Sequence, residues 1–388
     1  MARKRRGPRP QPRLDRLQSF LRNYTEGMSS RDVGRLFQRD AAEAYAVLTR
    51  EHQEGPEPKK GFGRLFHRAR LAFLGLSYKL SPPRRFLFAA SCISFLLGVL
   101  GRSGLVTSTH GVRISVNFSP FWTTAAFGGL VYLLALEMVD RVRVRDELEV
   151  ARDLQKNLLP GELPLLPGYL SAHSYRTANE VGGDYYDLMP LPDGRVALVV
   201  SDASGHGMAA GLVMAIANAT LKTALDLDPA PDKVIAVLNR ALCRTGDRRT
   251  FLSAFFALLE PNTGEMEYVC AGHPFPYLRR ADGTVEELGT GGLPLGLREP
   301  LPVQTGRTTI HPGDLLLLYT DGLVEAVSPH GGEAFGFERL QAILELGGTP
   351  AGVHAQILAA FDQHVGQEPL HDDLTLLVLG RVAPLPFG

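Results

Sequence analysis

Four aspartates that are far apart in the chain constrain its folding more than any other feature. They are Asp184, Asp202, Asp321 and Asp372, and each lies where an apolar, strand-like run begins or ends. In an antiparallel sheet the end of one strand lies beside the start of its neighbour, so two ends and two starts can meet at a single edge. Carboxylates crowded there repel one another unless protons, basic side chains or a hard divalent cation neutralise them. Because oxygen ligands without a Cys/His cluster favour Mg²⁺ or Mn²⁺ over zinc, we expect a site for one of these cations.

The charge of the chain is unevenly distributed. The 388 residues contain 41 Lys and Arg and 41 Asp and Glu, but residues 1–85 contain 20 basic and only 8 acidic residues. Such a basic segment is typical of contact with an anionic membrane surface or with nucleic acid. The apolar stretches after this segment favour the membrane, and we expect no nucleic-acid partner. The three cysteines are too few for a disulfide framework and fit a reducing compartment.

Two apolar stretches carry no charged residue. Phe86–Gly101 has 16 residues and Ser119–Leu136 has 18. At about 1.5 Å per helical residue they reach roughly 24 and 27 Å, slightly short of a ~30 Å hydrocarbon core. Arginines flank both on their outer sides, so the positive-inside rule places both termini in the cytoplasm. The sequence therefore predicts a membrane hairpin with a short outer loop, and the alternative is a helical hairpin buried in a soluble domain.

A linker helix is predicted after the second apolar stretch. The helical pattern continues to about Leu159, and Pro160 ends it. Five residues in it have the 4-3-4-3 spacing of a short coiled-coil seam: Val144, Leu148, Ala151, Gln155 and Leu158. This helix could pair two subunits as a homodimer and transmit a change to the domain after it, and a solvated monomeric linker is the alternative.

From Gly168 onward, short β-rich runs alternate with helical patterns. The predicted strands are Val196–Ser201, Phe251–Leu259, Met266–Cys270, Asp314–Thr320 and Leu374–Leu379. The predicted helices are Met208–Leu225, Pro231–Leu242, Phe337–Leu346 and Ala351–His364. Together with a hairpin-like P-N-T-G at Pro261–Gly264, this order predicts an α+β layered domain with a largely antiparallel sheet.

Each aspartate lies in a recognisable motif. The motifs are V-G-G-D-Y-Y-D (Val181–Asp187), S-D-A-S-G-H-G (Ser201–Gly207), P-G-D-L-L-L-L-Y-T-D-G-L-V-E (Pro312–Glu325) and H-D-D-L-T (His371–Thr375). One Asp-Gly pair alone is usually just a turn. All four motifs in this order, over residues 149–381, resemble the SpoIIE/RsbU-type branch of the metal-dependent protein phosphatases, which is related to protein phosphatase 2C.

The resemblance implies a fold, a cofactor and a role for each motif. It implies an antiparallel β-sandwich flanked by helices that holds two Mn²⁺ or Mg²⁺ ions and hydrolyses phosphoserine or phosphothreonine. Asp202 would then bridge both ions and the carbonyl of Ala203 would bind one. Asp321 and Asp372 would hold one ion, and Asp184 would act on the other, directly or through water. Asp373 is the less favoured ligand, because the first Asp of the pair aligns with the family's metal-binding position.

The chain departs from the family pattern in one loop. Cys270–Pro274 reads C-A-G-H-P and lacks both asparagines of the family's Asn-Ala-Gly-His-Asn-Pro. No arginine can be matched to a phosphate-binding role. His206 and His273 lie in glycine-rich loops, and either could assist proton transfer, although a turn or packing role is the alternative for both.

Three other functions compete with the phosphatase resemblance. The residues from Cys243 to Thr250 match the C-x₅-R-T loop of cysteine-dependent phosphatases, with Arg249 as the anion-binding arginine. That loop needs a strand before the cysteine and a helix N-terminus after it, whereas a helical pattern precedes Cys243. Reading Gly182–Asp184 as the turn of a cyclic-dinucleotide synthase leaves Asp321 and Asp372 unexplained. A non-catalytic signalling scaffold is the third alternative.

The sequence thus predicts four regions: a basic N-terminal region (1–85), two transmembrane helices with a short loop (86–139), a linker helix (140–160) and a catalytic domain (161–388). We expect a serine/threonine phosphatase at the cytoplasmic membrane with its catalytic domain in the cytoplasm. The resemblance implies a phosphorylated STAS-type regulator as partner, such as an anti-sigma-factor antagonist.

Overall fold

The computed structural model describes residues 62–100, 104–109, 112–245, 250–329, 332–366 and 368–382. Most of the predicted basic N-terminal region and Arg249 therefore lie outside the described residues. The chain divides into two compact units, Met1–Arg141 and Val142–Gly388, and a long helix passes from one to the other.

The first unit contains helices and one β-hairpin. Its elements are α1 (Phe62–Lys79), α2 (Pro82–Leu100), β1 (Gly104–Thr109), β2 (Val112–Asn117) and the first part of α3 (Ser119–Lys156). Helices α2 and α3 are long and apolar enough to cross a membrane. The two antiparallel strands between them were not anticipated, because we expected only a short loop.

Small residues bring α2 and α3 close together. A Cβ added at Gly129 would lie 2.2 Å from Ser91 Oγ, and one at Gly98 would lie 2.6 Å from Thr123 Cγ2. Small residues at a helix crossing allow the close backbone approach on which association in lipid depends. Outward-facing side chains such as Phe86, at 78% exposure, leave the outer surface of the pair apolar. The first unit thus has the surface expected of a lipid-facing hairpin.

The second unit is a sandwich of two five-stranded antiparallel sheets. Its strands are β3 (Tyr169–Arg176), β4 (Tyr185–Pro190), β5 (Val196–Ala203), β6 (Leu252–Leu259), β7 (Glu265–Ala271), β8 (Tyr277–Arg279), β9 (Val285–Glu287), β10 (Thr305–Thr309), β11 (Leu315–Tyr319) and β12 (Leu374–Arg381). The first sheet has the order β10-β7-β6-β5-β4 and the second has the order β3-β12-β11-β8-β9. Its helices after α3 are α4 (Met208–Leu227), α5 (Pro231–Thr245), α6 (Asp321–Val324), α7 (Phe337–Leu346) and α8 (Pro350–Val365).

Three apolar layers explain why the central strands are apolar on both faces. Leu198, Phe255 and Leu377 pack between the sheets, while the alternate residues of β5 and β6, such as Val199 and Phe256, pack under α4 and α5. Helices α7 and α8 cover the second sheet in the same way. A strand buried on both faces needs no polar alternation, which is why these strands read as continuous apolar runs. The predicted antiparallel sandwich flanked by helices is confirmed.

The predicted elements agree with the observed ones where burial is strongest. All five predicted strands and all four predicted helices are present, with ends that differ by up to three residues. The turn at Pro261–Gly264 joins β6 to β7, where Gly264 has a φ of +81°. Helix α4 is also long and apolar enough to span a membrane, but half of its apolar window is buried inside the second unit.

Candidate active site

The four aspartates lie at one end of the sandwich but belong to both sheets. Asp184 directly precedes β4 and Asp202 is near the end of β5, which pairs with β4 in the first sheet. Asp321 follows β11, and Asp372 lies shortly before β12, the partner of β11 in the second sheet. The expectation that they would meet at the edge of one sheet is therefore wrong, because each sheet contributes one antiparallel pair of strand ends.

Threonine hydroxyls join the two sheets at Asp184. This carboxyl group is 1% exposed, and the Oγ1 atoms of Thr320 and Thr375 each donate to its Oδ2 at 2.7 Å. The backbone N–H of Thr375 in turn donates to Thr320 Oγ1 at 3.0 Å. Burial, and then the charge of Asp202, raise the pKa of Asp184 well above its ordinary value. Asp184 is thus held from the opposite sheet in a setting that disfavours its negative charge.

Burial and neighbouring negative charges disfavour the ionised forms of Asp202 and Asp321. Burial raises the pKa of Asp202 to about 8, with further contributions from Asp321 and Asp372, and a hydrogen bond from Asp184 opposes this shift. Burial and the charge of Asp372 raise the pKa of Asp321 to about 6. Across the described ranges, none of these four carboxylates forms an ion pair with a basic side chain.

The donor set fits hard divalent cations. Asp321 Oδ1 is buried without a hydrogen-bond partner, so one carboxylate oxygen of this residue is unpaired. Oxygen atoms of this kind are the ligands that Mg²⁺ and Mn²⁺ prefer, and a cation would relieve both the repulsion and the missing hydrogen bond. In the described residues, no three Asp, Glu, His or Cys side chains already have the spacing of a metal site. The carboxylates therefore influence one another through charge, and their ligand roles stay predictions.

Two glycines place Asp184 and the carbonyl of Ala203 side by side. A Cβ at Gly183 would lie 2.9 Å from Ala203 O, and one at Gly182 would lie 2.3 Å from the Tyr175 hydroxyl. The N–H of Ala203 donates to Gly183 O at 3.3 Å. A side chain at Gly183 would push the loop away from β5, and one at Gly182 would clash with Tyr175 and with the Asp373 carboxyl group. This close packing explains why the V-G-G-D motif needs both glycines.

The neighbouring Asp373 has a structural task. Its Oδ1 accepts the N–H of Ala178 at 2.8 Å and its Oδ2 accepts the N–H of Gly183 at 2.6 Å. Asp372 by contrast is exposed, and its Oδ1 accepts the N–H of Asp373 at 2.8 Å. This division supports the prediction that Asp372 rather than Asp373 is the ligand.

The end of α3 contacts the Asp184 loop directly, which sequence reasoning missed. Gln155 is 5% exposed, its Nε2 donates to Gly182 O at 2.5 Å, and its Oε1 accepts the N–H of Gly182 at 2.9 Å. Asn218 of α4 donates to the carbonyl of Leu158 at 3.2 Å. The predicted coiled-coil seam included Gln155 and Leu158, so the lower part of that seam packs on its own chain and is not free for a second helix. The one sequence signal for this contact was a polar glutamine at a seam position of an otherwise apolar heptad pattern.

The two loop histidines differ in their surroundings. His206 is exposed on the loop after Asp202. His273 is 4% exposed; its Nδ1 lies 3.2 Å from Ser253 Oγ and its Nε2 lies 3.0 Å from Tyr319 O. Burial lowers the pKa of His273 to about 4, so the ring is neutral at neutral pH. Because both ring nitrogens are engaged, a direct role of His273 in proton transfer is disfavoured.

The cysteine-dependent alternative is contradicted by the position of Cys243. This residue lies inside α5, two residues before the helix ends, and not between a strand and a helix N-terminus. Burial, and then the charge of Glu299, raise the pKa of its thiol. A thiol nucleophile requires the opposite shift.

Comparisons with known proteins agree with this geometry. Residues 192–382 match the sequence model of the family described as Stage II sporulation protein E (SpoIIE). The phosphoserine phosphatase RsbU of Bacillus subtilis is 27% identical over 61% of this chain and 71% of its own length, and the phosphoserine phosphatase RsbP of the same organism is 27% identical over 48% and 47%. Protein IcfG of Synechocystis is 27% identical, and the chain spans 43% of its length. The chain thus spans less than half of two of these three relatives.

Solved structures give the same fold. The SiaA-PP2C domain of Pseudomonas aeruginosa aligns with a TM-score of 0.55, at 20% identity, over 63% of this chain and 99% of that domain. The RsbU and RsbW domains of Rv1364c from Mycobacterium tuberculosis align with a TM-score of 0.50, at 29% identity, over 59% of this chain and 64% of that one.

The raised pKa values predict how the stability of the metal-free protein depends on pH. A carboxyl group whose pKa is raised by folding binds more protons in the folded state, so stability falls as pH rises from the ordinary value of about 4 towards the raised one. Histidines with lowered pKa values, such as His273, act in the opposite direction, but only below about pH 6.5. In metal-free buffer the melting temperature should therefore fall between about pH 6.5 and about pH 8. Circular dichroism of the detergent-solubilised chain measures this.

Asp202→Asn should flatten this pH dependence, because it removes the group with a pKa of about 8. Asp193→Asn is the matched control: Asp193 is exposed at the other end of the β4–β5 hairpin and is paired with Arg195. The explanation is wrong if stability rises through this window, or if both variants keep the slope of the unsubstituted chain.

Proposed function

Because residues 192–382 form a domain of the SpoIIE family, we propose that this chain is a metal-dependent protein serine/threonine phosphatase of bacterial signalling. The observation that carries the proposal is the meeting of Asp184, Asp202 and Asp321 from two sheets at one end of the sandwich, where burial and neighbouring carboxylates raise the pKa of all three. Perturbed carboxylates of this kind cluster at functional sites, which favours a cation-binding enzyme over a structural scaffold.

The proposed ligands are those that the family pattern assigns. Asp202 would contact both ions, and the carbonyl of Ala203 would bind one of them. Asp321 and Asp372 would hold one ion, and Asp184 would act on the other, directly or through water. When bound, two such cations acidify a water and hold phosphate oxygens for in-line attack, so no covalent enzyme intermediate is needed.

The chain's own residues prepare the site. Thr320 and Thr375 orient Asp184 by donating to its Oδ2. A side-chain hydrogen bond from Asp184 lowers the pKa of Asp202 and so partly offsets the effect of burial. Gly183 admits the loop next to the Ala203 carbonyl, and Gly182 admits it next to the Tyr175 hydroxyl.

The substrate class is inferred from the relatives. RsbU and RsbP are named phosphoserine phosphatases. By this likeness the substrate is a phosphorylated STAS-type regulator, such as an anti-sigma-factor antagonist. The pairing of two copies through α3 remains part of the proposal, with the upper seam residues Val144 and Leu148 in place of the occupied Gln155 and Leu158.

The decisive assay measures phosphate release from a phosphoserine peptide by the full chain in detergent micelles, with Mn²⁺ or EDTA. Activity should require the metal, and Asp202→Asn or Asp321→Asn should lower it more than about 100-fold, since even outer-shell changes around a metal cost 10–100-fold. Asp193→Asn and Cys243→Ser should leave it unchanged. Activity that survives EDTA but is lost in Cys243→Ser would restore the thiol mechanism, and Mn²⁺ binding without turnover on any phosphoprotein would favour a scaffold.

The proposed location is the cytoplasmic membrane, with α2 and α3 spanning it and the sandwich in the cytoplasm. In a chain whose native cysteines are replaced by alanine, a membrane-impermeant maleimide should label Ser108→Cys in the β1–β2 hairpin of intact cells. Glu162→Cys, which is exposed beyond α3, should be labelled only after lysis. The reverse pattern would invert the topology, and labelling of both in intact cells would contradict a spanning hairpin.

Phosphatase activity should depend on Gln155, because this side chain joins α3 to the loop before Asp184. Gln155→Leu keeps the side-chain size but removes both hydrogen bonds to Gly182, so the loop before Asp184 loses its support from the helix. We expect phosphatase activity to fall by about 10–100-fold, as for other outer-shell changes. Leu154→Ala, at the exposed neighbouring position, is the control and should retain activity. Full activity of Gln155→Leu would remove the support for a switch through this helix.

A further inference from the structure

The C-A-G-H-P loop places one histidine deep in the sandwich beside the acidic cluster. It begins at the end of β7, and Gly272 turns the chain with a φ of +70°. A Cβ at Gly272 would lie 2.5 Å from the Pro294 ring, so the turn is also closely packed. The Cys270 thiol donates to the carbonyl of His273 at 3.2 Å. These contacts hold the histidine in one position from both sides.

The two partners of His273 determine its tautomer. The Tyr319 carbonyl at 3.0 Å can only accept, so Nε2 carries the proton and donates it. The neutral ring then has Nδ1 as an acceptor, and the Ser253 hydroxyl donates to it at 3.2 Å. Neither nitrogen has a proton or a lone pair left for a substrate.

These two partners lie next to the acidic residues of different sheets. Ser253 is directly opposite Asp202 in the β5–β6 pairing of the first sheet. Tyr319 is the last residue of β11 in the second sheet and directly precedes Thr320 and Asp321. The imidazole therefore connects the strand pair of Asp202 with the strand of Asp321. It does so separately from the link that Thr320 makes to Asp184.

We propose that His273 is a positioning residue: through Ser253 and the Tyr319 carbonyl it sets the spacing between Asp202 of the first sheet and Asp321 of the second. This rests on the proposed function, in which those two carboxylates share a cation. The side chain suits the task because a planar ring with one donor and one acceptor can satisfy a hydroxyl and a carbonyl at opposite ends. Groups that orient metal ligands from outside typically contribute 10–100-fold to metal affinity or activity.

The test measures Mn²⁺ binding by isothermal titration calorimetry and, separately, turnover at saturating Mn²⁺, both on the full chain in detergent micelles. His273→Phe keeps the ring but removes both hydrogen bonds. We expect its Mn²⁺ dissociation constant to rise by about 10–100-fold while turnover at saturating Mn²⁺ stays within about threefold. His273→Gln keeps a donor towards Tyr319 and should recover part of the affinity.

Ser253→Ala and His354→Phe complete the design. Ser253→Ala removes a single hydroxyl, so it should fold normally and lose Mn²⁺ affinity less than His273→Phe does. His354 is a half-buried histidine on α8, outside the acidic cluster, and its replacement should leave Mn²⁺ affinity unchanged. Circular dichroism checks the fold of each variant.

The possible results separate the inference from the function on which it rests. Unchanged Mn²⁺ affinity in both His273→Phe and Ser253→Ala overturns the positioning role, whatever their melting temperatures. Lost turnover at saturating Mn²⁺ with unchanged affinity also overturns it, because His273 would then act on the reaction itself. If the unsubstituted chain binds no Mn²⁺, the proposed function fails and the inference fails with it.

Discussion

Repulsion between carboxylates at one end of the sandwich is the constraint on which the rest of this structure depends. Like charges that are removed from water interact strongly, and they persist only where protons, hydrogen bonds or cations offset them. Asp184 is offset by a shared proton and by hydrogen bonds, since it is buried, forms a hydrogen bond with Asp202 and accepts two threonine hydroxyls. Asp373 is offset by hydrogen bonds alone, which two backbone N–H groups donate. Asp321 has a buried oxygen that lacks any hydrogen bond, which favours a cation as its partner.

The two sheets meet this constraint through side chains that cross the sandwich. Thr320 and Thr375 extend from the second sheet to Asp184 in the first, and His273 joins Ser253 to the Tyr319 carbonyl. The apolar core between the sheets is not directional and sets their separation only approximately. Hydrogen bonds with defined lengths and angles are needed to fix the relative position of ligands that come from different sheets. The end of α3 adds a third contact through Gln155, so the helix that leads from the first unit also bears on this loop.

The parts of the fold that could be predicted are those in which burial leaves a pattern in the sequence. Strands such as β5 and β11 are apolar throughout because both faces are covered, and α4 and α5 follow helical periodicity. Strand β10 reads T-G-R-T-T at a sheet edge, and β8 and β9 have three residues each, so none of them carries a usable pattern. The β1–β2 hairpin was missed for a related reason, since two six-residue strands paired only with each other need no core.

The sequence by itself determined which residues are acidic at strand boundaries, which segments are apolar, and that a thiol mechanism lacked its required context. The order of the family motif also favoured Asp372 over Asp373 as a metal ligand, and this choice stays a prediction. Only the tertiary structure decided that the aspartates come from two sheets, that Gln155 and His273 form hydrogen bonds beside them, and that the lower seam of α3 packs on its own chain. The physical reason is that periodicity records whether a residue is buried, but not against which partner. A hydrogen bond between residues such as Thr375 and Asp184, 191 positions apart, leaves no trace in either local pattern.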